Sequence, residues 1–156
     1  MAEQERPTTS MVSSTTFALV AAGRAAQRRL DDALAARGVG LRHLGALGHL
    51  LRAPELSYSD LARRAGVTPQ SMRATVRQLE ALGAVTRAPG GQGRAARLEV
   101  TDEGRDLLTW AGEVARSVDE ELLGDLSEAE RRRVGQAALA VAMSVVGPGG
   151  PPPSGR

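Results

Sequence analysis

Residues 61–87 read L-A-R-R-A-G-V-T-P-Q-S-M-R-A-T-V-R-Q-L-E-A-L-G-A-V-T-R, and two short helical patterns meet in this stretch. Leu61, Ala62 and Ala65 give the first a small inner face, and Gly66 stands where a sharp turn needs a left-handed backbone. Ser57-Tyr58-Ser59-Asp60 supplies its capping residues. Thr68-Pro69 opens the second helix with a hydroxyl N-cap and a proline at the first helical position. Met72, Val76 and Leu79 recur at i, i+4 and i+7 and define its buried side, and Gly83 ends it after Leu82. A short helix, a glycine turn and a second amphipathic helix predict a helix-turn-helix, in which the second helix lies in a DNA major groove.

The outward side of that second helix carries Gln70, Ser71, Arg73, Ala74, Arg77 and Gln78. Arginine pairs in bidentate fashion with guanine and glutamine with adenine, while Thr68 and Ser71 at the helix N-terminus suit a phosphate. Any amphipathic helix has a polar outer face, so each residue taken singly also reads as plain surface. Downstream, Val85-Thr86-Arg87 and Ala96-Arg97-Leu98-Glu99-Val100 are short strand-like runs around Pro89-Gly90-Gly91-Gln92-Gly93. Arg94 lies near the tip of this hairpin, between Arg87 and Arg97, where a flexible basic loop suits a narrow minor groove. A solvent-exposed hairpin with no partner is the other reading.

The flanks are helical. Phe17, Val20, Ala21, Leu30 and Leu34 recur through about residues 16–36, and Gly38-Val39-Gly40 ends that helix. Leu44, Leu47, Leu50 and Leu51 form the stripe of a helix from Leu41 to Arg52, which Pro54 closes. Thr101 caps a long helix to about Leu123, with Leu107, Leu108, Ala111, Val114, Val118 and Leu122 on its apolar face. Ser127 and Glu130 form a capping box that opens a last helix to about Val146. Residues 1–14, polar with no periodicity, and 147–156, Pro/Gly-rich, are expected to be disordered tails. The expected fold is mainly α with a small β-hairpin. A winged helix-turn-helix lobe at about 41–100 is joined to a dimerisation layer from about 16–36 and 102–146.

Charge is segregated in the same way. Residues 41–100 hold nine Arg against four acids, whereas residues 101–130 hold two Arg against ten acids, although the whole chain is only +2. A basic middle beside an acidic helix suits a lobe that binds a polyanion while the rest stays off it; solvated helix faces would look similar. All twenty basic residues are arginine, a bias better assigned to genome composition than to function. With one Phe, one Tyr and one Trp, the core must be built from Ala, Leu and Val. The absence of cysteine excludes disulfides, thiolate metal sites and cysteine redox sensing. Two histidines do not make a self-contained metal cage, so neither a metal nor a cofactor is expected. The acidic, polar start is unlike a secretory signal, and the near-apolar run 137–146 is half the length of a membrane span, so a cytoplasmic protein is expected.

Leu61–Arg87, followed by G-R-A-A-R-L-E-V-T-D-E-G at Gly93–Gly104, closely resembles the MarR family of bacterial transcription regulators. The resemblance lies in a recognition helix, L-E-x-x-G, a strand, an Arg at the wing tip and L-x-V-T-x-x-G entering a long helix. Helix order extends it over about residues 16–146. It implies a homodimer with interleaved first and last two helices, bound to a pseudo-palindromic double-stranded operator. Each recognition helix would lie in a major groove and each wing in a minor groove, and a small, often anionic aromatic effector would release the DNA. Where the family often carries an Asp two residues before the wing Arg, this chain has Gln92, so a bracing salt bridge at the tip is not expected. The peroxide-sensing branch works through cysteine and is excluded.

The expected DNA-binding residues are Thr68, Gln70, Ser71, Arg73, Arg77, Arg94 and Arg97, and His43, His49 and Trp110 are the candidate ligand residues. A histidine or a lone Trp is also an ordinary packing residue. The apolar terminal helices, through Phe17, Val20, Leu139, Val141, Ala142 and Val145, call for a second copy or for an intramolecular bundle. A dimer would set two recognition helices about one DNA turn (~34 Å) apart. A winged-helix adaptor that binds protein is the alternative function. No nucleophile–base pair, phosphate loop or paired carboxylates mark an enzyme, and the acids Asp119-Glu120-Glu121 and Asp125 read as a solvated helix end.

Overall fold

The computed structural model describes residues 14–88 and 97–146. The elements in order are α1 (Thr15–Ala35), α2 (Leu41–Arg52), α3 (Tyr58–Ala65), α4 (Pro69–Ala81), β1 (Val85–Ala88), β2 (Arg97–Val100), α5 (Asp102–Leu123) and α6 (Glu128–Val146). The helix boundaries fall within a residue or two of those expected. The tip segment with Gln92 and Arg94 and both tails lie outside the described residues, apart from Ser14, the residue before α1.

The local signals act as their chemistry dictates. Ser57 and Thr68 each accept the backbone N–H three residues on, from Asp60 and Ser71, both at 3.1 Å. Gly66 has φ +65°, and Val67 N–H reaches back to the Ala62 carbonyl at 3.0 Å. Gly83, at φ +71°, ends α4 in the same left-handed way, with Ala84 N–H bonded to the Leu79 carbonyl at 2.9 Å. At the start of α6 the capping box closes reciprocally: Ser127 N–H donates to Glu130 at 2.8 Å and Glu130 N–H to the Ser127 hydroxyl at 3.4 Å.

One core runs through the lobe. Leu34 of α1, Leu47 and Leu50 of α2, Leu61 of α3, Met72, Val76 and Leu79 of α4, and Leu98 of β2 are all buried, and Leu107 and Ala111 of α5 extend it. At about 1.5–3 kcal/mol per buried Leu, Val or Met, this cluster supplies the main drive for folding. Two details differ from the sequence reading. Leu51 is half out of the core, because the buried stripe of α2 is His43, Ala46, Leu47 and Leu50 and the next residue turns 100° away. Thr75 is buried on α4, its hydroxyl spent on the Ser71 carbonyl at 3.1 Å.

β1 and β2 pair antiparallel, with Val85 opposite Val100 and Ala88 opposite Arg97. The hairpin is anchored where it leaves β2. Thr101 N–H bonds the Ala84 carbonyl at 3.1 Å, its hydroxyl donates to the Gly83 carbonyl at 2.6 Å, and Gly104 lies against the same turn. α5 packs along α1. α6 has no substantial packing partner among the described residues, and residues 132–145 are exposed, so within them α6 joins no intramolecular bundle.

Candidate nucleic-acid interface

α4 is held from both sides so that its outer face stands clear. Met72, Val76 and Leu79 lock one side into the core, which leaves Gln70, Ser71, Arg73 and Arg77 exposed on the other. Arg73 and Arg77 form no ion pair with any described residue. Together with Gln70, Tyr58 and Arg87 they line a cleft of about 310 Å³ between α3, α4 and β1. Thr68 and Ser71 sit at the N-terminus of α4, and the Thr68 hydroxyl donates to the Ser71 hydroxyl at 3.0 Å. Guanidinium groups without an ionic partner along the outer face, with the helix N-terminus at Thr68 and Ser71 leading into it, form a surface of positive potential suited to a polyanion. Arg97 is exposed on β2, at the end of the hairpin opposite Thr101.

Arg87 has a different part. Strand alternation puts it on the same side of β1 as the buried Val85, so its side chain folds back toward the helices. Its Nε donates to Glu80 Oε1 at 2.5 Å and its Nη2 to Oε2 at 3.4 Å, while the guanidinium lies 5.8 Å from the Tyr58 ring centre. The Glu80 hydrogen bond, with the Tyr58 and Glu80 charges behind it, raises the Arg87 pKa above its ordinary value. In the sequence Arg87 stands only as a basic flank of the hairpin. Its pairing with Glu80 spans a helix end, a turn and a strand, a path with no fixed spacing rule.

The candidate ligand residues do not converge. His43 is buried: its Nδ1 accepts Gly40 N–H at 2.9 Å, which leaves the proton on Nε2 to donate to Gln78 Oε1 at 2.7 Å. Both ring nitrogens are thus occupied in tying the start of α2 to α4. Gln78, expected on the outward face, also accepts from Arg42 at 3.3 Å. His49 is half-buried beside Arg52, and burial first, then the charges of Arg52 and Arg64, lowers its pKa. Trp110 is half-buried on α5 under the Arg37 guanidinium, 4.4 Å from the ring centre. Arg37 in turn edges a 440 Å³ cleft with Leu82, Ala84, Glu103, Asp106 and Leu107.

Comparison with known proteins fits this geometry. A family model described as the MarR family matches residues 37–95. The HTH-type transcriptional repressor Rv2887 of Mycobacterium tuberculosis is 35% identical over 117 residues, covering 74% of this chain and 84% of its own. The chain belongs to the MarR family of transcription regulators. The crystal structure of the Mycobacterium tuberculosis MarR-family protein Rv2887 in complex with DNA superposes on this MarR-family chain with a TM-score of 0.70 at 29% identity, covering 83% of this chain and 98% of that one. A second structure of that relative, in complex with salicylic acid, gives a TM-score of 0.65 at 31% identity over 83% of this chain and 96% of its own. The MarR fold accounts for the six helices and the two-stranded antiparallel sheet found among the described residues. No helix among the described residues is long and apolar enough to cross a membrane.

Proposed function

We propose that this chain is a homodimeric, sequence-specific DNA-binding repressor, released from its operator by a small anionic aromatic ligand. The observation that carries the reading is the outer face of α4, where Gln70, Arg73 and Arg77 are exposed and the two arginines have no partner among the described residues. Buried side chains hold that face rigid, as base readout requires. Gln70, Arg73 and Arg77 read bases in the major groove, Thr68 and Ser71 seat a phosphate, and Arg94 and Arg97 carry the wing. Such a regulator works in the cytoplasm and catalyses nothing.

The division of labour follows the same lines, with a DNA-binding lobe at about 41–100 and a dimer layer at about 16–36 and 102–146. The layer rests on the exposed apolar side chains of α1 and α6, among them Phe17, Val20, Leu139, Val141, Met143 and Val145. A patch of that extent on a small soluble domain marks an interface. For the effector, a relative bound to salicylic acid supports an aromatic anion. Of the three candidates Trp110 is best placed, because Arg37 over its ring adds a cation beside the open cleft. His43 has no free ring nitrogen to offer.

Competition binding against a library of duplexes tests the reading. Gln70→Ala and Arg73→Ala should change which bases are preferred, by about 1–3 kcal/mol per lost bidentate pair. Arg94→Ala should weaken all sequences alike, and salicylate should lower affinity for the preferred duplex. Unaltered base preference in both α4 variants would remove the recognition helix from the reading.

A further inference from the structure

The hairpin leaves the lobe at two points, and each is tied to the C-terminal end of α4. On the β2 side Thr101 holds the Gly83 and Ala84 carbonyls. On the β1 side the tie is the Arg87–Glu80 chelate, flanked by the Tyr58 ring. Exposed ion pairs usually contribute little, because water screens them and two long side chains must be ordered. This pair departs from that case in two respects. Glu80 is only 24% exposed, and both of its oxygens are engaged by a single planar fork. Strand alternation also places Arg87 on the inward side of β1, so the fork sets the direction in which the strand leaves α4.

We propose that Glu80 is a positioning residue for DNA binding: by chelating Arg87 it fixes the angle between the wing and the recognition helix, so that both reach one duplex together. The proposal rests on the DNA-binding reading and deepens it. Its signature is a sign that electrostatics alone would reverse. Glu80 is an anion in the basic lobe, so neutralising it should strengthen attraction to a polyanion, and freeing Arg87 should add a phosphate contact. The brace requires the opposite: Glu80→Gln binds DNA more weakly.

The experiment measures affinity of the full chain for its preferred duplex by fluorescence anisotropy, in four proteins: wild type, Glu80→Gln, Arg94→Ala and the double variant. A roughly fivefold loss is expected for Glu80→Gln, the upper range for a pair of this exposure, and little further loss when it is added to Arg94→Ala. Arg87→Lys keeps the charge and loses the fork, and should show the same loss. The reciprocal swap Glu80→Arg with Arg87→Glu should recover part of it. Thermal melts of each protein identify losses that come from unfolding. Tighter or unchanged binding by Glu80→Gln overturns the brace, as do losses that simply multiply with Arg94→Ala. If Arg94→Ala alone has no effect, the wing contact itself is what fails, and the brace falls with it.

Discussion

Gly104→Ala is the most exacting test of the packing that joins the wing to the long helix. Gly104 is buried in the first turn of α5, where a residue with a side chain would ordinarily favour the helix; alanine gains about 1 kcal/mol over glycine at an unobstructed helical position. Here a Cβ would stand 2.2 Å from the Ala84 carbonyl oxygen and 2.7 Å from Val100 Cγ1. The carbonyl is backbone, held by Thr101 N–H at 3.1 Å, so it cannot swing aside. Relief requires α5 to draw back from the α4–β1 turn by about an ångström. Overpacking of this kind costs about 1–3 kcal/mol. Stretching the Thr101 bonds to Gly83 and Ala84 costs about 1 kcal/mol each. Set against the propensity gain, the net destabilisation is about 2–4 kcal/mol. Equilibrium urea unfolding at fixed protein concentration measures it, since a dimer's midpoint depends on concentration. With a slope of about 2 kcal/mol/M, the midpoint should fall by about 1–2 M. A variant as stable as wild type, or more stable, would refute the packing of α5 against the wing root.

Two further outcomes follow from exposed and titrating groups. Leu139→Asp places a charge on α6 where the side chain is 64% exposed in the single chain, so the fold of the lobe should survive while sedimentation shows monomer in place of dimer. An unchanged sedimentation coefficient would move the interface elsewhere. His49 titrates below its ordinary 6.5 in the folded chain because of burial and then the Arg52 and Arg64 charges. The unfolded chain therefore binds the proton first, and stability falls as pH drops through 6.5 toward the lowered folded value. Urea unfolding of wild type should weaken between about pH 7.5 and 5 more than that of His49→Gln, and identical pH profiles would contradict the assignment.

Most of the fold was legible because its decisive residues act locally. Thr68-Pro69, Gly66, Gly83 and the Ser127–Glu130 box each determine a helix end through contacts within a few residues, and such contacts are visible as spacing. The core face of α4 followed from its helical period. What escaped was long-range or chemically ambiguous. His43 takes a core position on α2 because its ring finds Gly40 on one side and Gln78, on another helix, on the other. Gln78 stays exposed on α4, as its place on the outward face implies, but its side-chain oxygen is spent on His43 and Arg42. The Glu80–Arg87 chelate depends on the path of a helix end, a turn and a strand, which no periodicity encodes. Of the candidate interface, the α4 residues were readable as an exposed polar face, whereas their lack of ionic partners needed the fold.

The central claim is that an arginine-bearing recognition helix binds duplex DNA. Fluorescence anisotropy of the full chain, titrated onto duplexes from the region flanking its own gene at a series of salt concentrations, tests it most directly. Each phosphate contact by a cation contributes a slope of about −0.9 in log K against log salt, and two wing arginines in each copy of a symmetric dimer make four such contacts, so a slope of about −3.6 or steeper is expected. Absent binding, or binding indifferent to salt, would contradict the account.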